Sequence, residues 1–293
     1  MAIMDELGDV EGLFDVVELY EEPMGVYYTD NPPADCISPK PAKLPTYEEE
    51  QQGKLDLREV FGNFSCIFQS VWRARRKQTA ACFDREHFGC LGGAFNLGYI
   101  KPQLELIVRY VSTGMPGLPG EHYLDSPEAV RSLFDAIDPR PVPAPFCVFK
   151  PLSMFESGEQ PELVVFFDRP ESISGLHQLC SFVTNDFNIV RSPMGAGCSN
   201  IVGWPINYLE KGELKAVLGG WDPACSKYFR TDEITLTVPF ELFRMMVERW
   251  RESFLTHKGS GWEVNRKKAQ RSRKKWGENE PLWGDKRDED AEG

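Results

Sequence analysis

Long apolar runs are missing from this sequence, and so are most of the short motifs that announce a reaction. No apolar stretch approaches the ~20 residues that a membrane-spanning helix needs, which excludes an integral membrane protein. No secretory signal is expected either, because Met1 to Val10 carries Asp5, Glu6 and Asp9 where such a segment would carry cations and then apolar residues. The chain is therefore expected in the cytoplasm, with its cysteines reduced or bound to metal rather than bridged. There is no G-x-S-x-G elbow, no P-loop and no H-E-x-x-H helix. Gly89-x-x-Gly92-Gly93 does not follow an apolar strand, so a dinucleotide fold is unsupported. Histidine is scarce, four in all, which leaves few groups for acid–base work near neutral pH. Of these, His122 follows a Gly/Pro loop and reads as exposed, and His177 lies in an amphipathic segment and reads as half buried. The adjacent carboxylates Asp232 and Glu233 precede a strand and read as a solvated turn. No repeat of the solenoid kind is present.

What is present is a globular chain. Its 293 residues, 41% hydrophobic and 12% aromatic, suffice for a sizeable core in one main domain. The net charge of −12 is unevenly spread: residues 1–50 form an acidic arm with thirteen acids against Lys40 and Lys43. Arg266 to Lys275 holds seven cations, and a short acidic terminus from Asp285 to Glu292 follows. One basic decamer between two acidic segments is a weak signal for nucleic acid, because the acids neutralise it. Residues 258–293 read as a charged tail outside a main domain of residues 1–257. With Trp262, Trp276 and Trp283 as aromatic anchors, this tail is expected to dock on a second copy of the chain or on another acidic surface such as that of residues 1–50.

Hydrophobic spacing places helices at Glu11 to Tyr20, Cys66 to Arg76, Pro102 to Val111, Ser126 to Ile137 and Ser172 to Val183. A long amphipathic helix runs from Pro239 to about Thr256. In Cys66 to Arg76, Ile67, Phe68, Val71 and Trp72 share one side, and the cations at its end suit a helix C-terminus. Strands are expected at Met24 to Tyr28, Phe146 to Phe149, Leu163 to Phe167, near Asn188 to Arg191, Leu214 to Leu218 and Ile234 to Val238, with a strand-like run around Cys82. The loop Ser112 to Gly120, with three glycines and two prolines, either covers a site or only connects two helices. Helices and strands alternate without a strict βαβ rhythm. The fold class expected is α+β, a mixed sheet with interspersed helices.

Eight cysteines carry the chemical signal. Three share a local setting: Cys90 follows Gly89, Cys198 follows Gly195 and Gly197, and Cys225 follows the helix-starting pair Asp222-Pro223. Each is expected at or near a helix N-terminus, where backbone N–H groups and the dipole favour the thiolate that binds metal. Glycines beside the sulfur, Gly92, Gly93, Gly195 and Gly197, let a bulky cofactor approach the backbone. Against this stands the common role of free cysteine as a small buried side chain. No C-x-x-C pair exists, which argues against a zinc ribbon, a thioredoxin-like site and the dense ferredoxin spacing. Cys36, Cys66, Cys147 and Cys180 read as core; Cys82 reads either way.

The segment C-L-G-G-A-x-x-L-G from Cys90, the Gly-rich approach to Cys198, and C-S-K-Y-F-x-x-D-E-x-x-x-x-V-P from Cys225 to Pro239 occur in this order. Together they resemble the ArCR family, a prokaryotic domain of unknown function found in archaea and anaerobic bacteria, over about residues 8–256. The resemblance supplies no reaction; it implies an anaerobe-associated setting that suits iron–sulfur or other thiophilic metal chemistry. The function expected is redox or cofactor handling at such a centre, with Cys90, Cys198 and Cys225 as ligands and Cys82, Cys66 or His87 as a fourth. The competing expectation is a non-catalytic binding or accessory protein with a small-molecule pocket.

Overall fold

Successive side chains of a strand point to opposite faces, and here both faces of one sheet are buried. The computed structural model describes residues 3–56, 60, 62, 64–101 and 104–275. Its strands are β1 (Met24–Thr29), β2 (Ala81–Phe83), β3 (Phe146–Pro151), β4 (Leu163–Asp168), β5 (Val190–Arg191), β6 (Ala216–Gly219) and β7 (Ile234–Pro239). They form a seven-stranded sheet in the order β2-β3-β1-β4-β7-β6-β5. All neighbours are antiparallel except β5 and β6, so the sheet is mixed and the fold is α+β in a single main domain. In β4, Val164 and Phe166 enter one core layer, while Leu163, Val165 and Phe167 enter the other.

The helices are α1 (Ile3–Leu7), α2 (Val10–Val17), α3 (Tyr47–Gln51), α4 (Ile67–Lys77), α5 (Leu91–Asn96), α6 (Glu105–Val111), α7 (Pro127–Ile137), α8 (Pro170–Thr184), α9 (Trp204–Glu210), α10 (Phe240–Arg249) and α11 (Gly261–Lys275). One face of the sheet is covered by α1, α2, α8 and α10, through Leu13, Leu176, Leu179, Phe243 and Met246. The other is covered by α4, α5 and the turn before α9, with α6 and α7 in an outer cluster around Phe95, Val130 and Phe134. The start of α7 shows local chemistry acting: Ser126 caps it by accepting the Ala129 N–H at 3.3 Å, and Pro127 supplies the first turn. Among the described residues no helix is long and apolar enough to cross a membrane.

Several expectations are revised. The amphipathic helix after Pro239 ends at Arg249 and passes into a 3-10 turn, Trp250–Glu252. Trp72, expected inward, is exposed beneath the Arg76 guanidinium. Part of the charged tail is the helix α11, docked within the same chain: Trp262 packs on Gly175 and Phe254, and Arg266 pairs with Glu18 of the acidic arm and with Glu171. Gly175 is required there, since a Cβ would lie 2.7 Å from the Trp262 ring. Trp276, Trp283 and the acidic run Asp285 to Glu292 lie outside the described residues.

Glu233, read above as part of a solvated turn, is instead buried. It pairs with the buried Arg75 of α4, which also reaches Glu21 and lies 4.1 Å over the Phe167 ring. Burial raises the Glu233 carboxyl above its ordinary value of 4.5, and Arg75 opposes that rise. Removing one partner strands the other's charge in a dry interior. Arg75→Met is therefore expected to cost about 3 kcal/mol in urea unfolding at about pH 8. A raised native pKa means the folded chain holds a proton that the unfolded chain releases, so stability falls as pH rises from 4.5 through the native value. The variant's deficit should thus shrink at about pH 5, and an equal deficit at both values would show that Glu233 is not the group left uncompensated.

Candidate functional site: a thiol-lined cavity

Cysteines occupy positions where helices begin. Cys66 is the N-cap of α4, and its thiol lies by the Phe68 backbone N–H, which lowers its pKa against the rise from burial. Cys90 is the N-cap of α5, and its Sγ accepts the Gly93 N–H at 3.4 Å. Cys198 opens the π-type turn Ser199–Gly203 that leads into α9, and Cys225 lies in the 3-10 helix Pro223–Tyr228. Two side chains tie these starts together. Asn96 Nδ2 donates to the Gly92 carbonyl at 2.8 Å and to Cys198 Sγ at 3.2 Å. Asp222 accepts the Ala224 N–H and the Gly197 N–H, each at 2.9 Å, and so joins the Cys225 helix to the Cys198 turn.

These segments enclose a cavity of about 440 Å³. Cys66, Cys90 and Cys198 line it; Cys225 sits behind the wall, where a Cβ on Gly197 would come within 2.6 Å of its Sγ. One wall is apolar, with Phe95, Ile107, Leu133, Phe134 and Ile137. A polar corner holds Glu121 and Asp222, each bonded to a phenol: Tyr110 to Glu121 at 3.1 Å and Tyr123 to Asp222 at 3.3 Å. Tyr110 and Glu121 flank the loop Ser112 to Gly120, so the loop's two ends build the cavity's corner. A second depression of about 400 Å³, around Lys43, Glu49 and Asp56, holds no thiol.

Burial dominates the thiols. It pushes Cys66 up to about 12, with Cys90 adding to the rise. Cys198 stands well above its ordinary value, through burial first and then through the proximity of Cys90, Cys66, Asp222 and Cys225. Cys90 is raised by burial against the N–H groups of Gly93 and Gly92. Cys225 is raised by burial and then by Asp222 and Cys66. The thiolates expected from helix-start positions are therefore thiols at neutral pH, and each would resist ionising beside the others. Among the described residues no group of three or more His, Cys, Asp or Glu is arranged to hold a metal ion.

Residues 13–249 match the family described as uncharacterised ArCR. The chain belongs to the ArCR family. The matched span contains all four cysteines around the cavity and stops short of α11. No curated protein and no solved structure matches the chain.

Within this ArCR fold the residues singled out from sequence separate into two groups. Cys90 and Cys198 meet at the cavity, with Cys225 behind them and Cys66 beside them. Cys82 is not brought there: on β2 it faces the opposite core layer, next to Cys36. His87 is held by Asp84, both of whose carboxylate oxygens lie 3.0 Å from Nδ1, and does not line the cavity. Of the glycines, Gly92 lines the cavity, Gly93 donates to Cys90 and packs on Ile67, Gly195 packs on Ser199, and Gly197 packs on Cys225 and Phe68. Asn96, Glu121 and the two tyrosines carried no mark in the sequence, and Asp222 was marked there only as a helix start. Only the Asp222-Pro223 start and the Gly/Pro loop beside Glu121 pointed toward them.

The thiol chemistry is open to a direct check. In the folded, metal-free ArCR chain, Cys66 is expected to react with iodoacetamide at about pH 8 at least ~100-fold more slowly than free cysteine, whose thiol titrates near ~8.5. Urea should abolish the protection. Peptide mass spectrometry after timed quenching reads both rates, and equal labelling of folded and unfolded chains would refute the burial argument.

Proposed function

We propose that this chain binds a thiophilic metal centre, an iron–sulfur cluster foremost, at the cysteine wall of the cavity, and works in redox or cofactor handling in the cytoplasm. The observation that carries the reading is the convergence of Cys66, Cys90, Cys198 and Cys225, from four separate segments, around one cavity. The donor set suits the group: sulfur is the ligand that soft metals and clusters prefer. Two of the sulfurs already accept N–H bonds, Cys90 from Gly93 and Cys198 from Asn96, the kind of contact that tunes a cluster's potential. A single ion needs its ligands converged on one point at ~2.3 Å, an arrangement not found among the described residues. A cluster spreads its thiolates around a larger body, which is why it is the preferred occupant. The reducing poise of the cytoplasm would keep the eight thiols in the free state they hold here.

When bound, such a centre would supply electron transfer or an open coordination position. The chain's own part would be to surrender thiol protons, orient the sulfurs through Asn96 and Asp222, and exclude water with the phenylalanine wall. Because each ligand is a raised thiol, occupancy would release protons and weaken as pH falls. A second reading is favoured by the apolar wall: a non-catalytic binding or accessory protein whose cavity takes a small organic molecule.

Anaerobic purification and reconstitution with iron and sulfide, followed by metal and acid-labile sulfide analysis, separates the two. The expected result is a coloured protein whose iron is largely lost in Cys90→Ala and Cys198→Ala and retained in Cys82→Ala, all three checked for native circular dichroism. A colourless, iron-free chain after reconstitution would leave only the second reading.

A further inference from the structure

The cavity carries a charge preference as well as thiols. Among the described residues that line it there is no Lys, Arg or His, yet Glu121 and Asp222 both line it. Neither carboxylate has an ion-pair partner among the described residues; their hydrogen bonds come from Tyr110, Tyr123 and the backbone of Gly197 and Ala224. Lys227, whose charge reaches Cys66, is exposed and lies over the Tyr228 ring. Burial raises the Glu121 carboxyl above its ordinary value, the Tyr110 hydroxyl opposes that rise, and the neighbouring Asp222 adds to it. A volume of about 440 Å³ exceeds the need of a lone ion and falls within the ~300–1,000 Å³ range of organic-ligand pockets.

We propose that the cavity binds an organic molecule with an apolar body and a cationic amine end, the body against Phe95, Leu133 and Phe134 and the ammonium facing Glu121 and Asp222. Each half of the ligand answers one half of the wall. The apolar body removes the phenylalanine and leucine surface from water, and the ammonium supplies a counter-charge that no described lining residue provides. Carboxylates and phosphates are turned away by the same corner, because no cation there offsets their desolvation. The inference rests on the small-molecule reading of the cavity, and its test uses the metal-free chain.

Three probes with one apolar body test it: phenylbutylamine, phenylbutanol and phenylbutyrate, titrated calorimetrically into the full-length, metal-free chain near neutral pH. The amine is expected to bind about tenfold more tightly than the alcohol, and the carboxylate more weakly than the alcohol. Glu121→Gln keeps an acceptor for Tyr110 while removing the charge; it should erase most of the amine's advantage over the alcohol. Equal binding of amine and alcohol would overturn the charge preference while the pocket stands, as would a carboxylate that binds as tightly as the amine. If none of the three binds, the small-molecule reading falls together with the inference.

Discussion

The sheet is buried on both faces, and that double burial governs what each strand residue can meet. Each strand must send alternate side chains into two separate layers, so a shift of one residue moves a group across the whole thickness of the sheet. Phe166 packs with Phe14 and Phe243 in one layer, while its neighbour Phe167 packs with Phe68 and Phe229 in the other. The same rule parts the cysteines: Cys82 on β2 enters the first layer, and Cys147 on β3 the second. The cavity belongs to the second side, so only thiols carried on the segments that cover that face reach it. These are the starts of α4 and α5 and the turn before α9, with the 3-10 helix after β6 placing Cys225 behind the wall.

Two opposing effects act on those thiols, and their magnitudes decide the outcome. A helix N-terminus stabilises a negative charge by about 0.3–1 kcal/mol at an exposed site. Full burial disfavours the same charge by up to ~3–5 pK units, each worth about 1.4 kcal/mol. Burial wins, and the glycine N–H groups at Cys90 soften its rise without reversing it. The arrangement is thus a group of protonated thiols beside the carboxylates of Glu121 and Asp222. Local hydrogen bonding serves this layout. Asn96 and Asp222 hold separate turns together, and their contacts bridge stretches of chain that are far apart in sequence.

Much of the fold was legible because it rests on short-range chemistry. The Ser126-Pro127 start fixed one end of α7, and the apolar runs at Phe146, Leu163 and Ile234 became central strands of the sheet. Where reading failed, a tertiary contact had overridden a local preference. The helix α11 is built of polar and basic residues and has little reason to form alone; Trp262 and Arg266 dock it against α2 and α8. Glu233 looked like a solvated turn residue because its partner Arg75 lies far away in the sequence. Within the site, Cys90 and Cys198 were legible from their glycines, whereas Glu121 and Asn96 carry no local mark of their position.

The sequence by itself determined the family, the α+β class, the identity of most elements and the placing of cysteines at helix starts. All of these follow from residue type and spacing within a turn or two of chain. Only the tertiary structure decided that Cys66, Cys90 and Cys198 line one cavity with Cys225 behind its wall, that Cys82 does not, and that the carboxylates Glu121 and Asp222 complete the lining. The reason is geometric. Periodicity tells which side of its own element a residue occupies, but which elements pack against that side depends on contacts between segments distant in the chain, and burial there sets the charge state of every group they enclose.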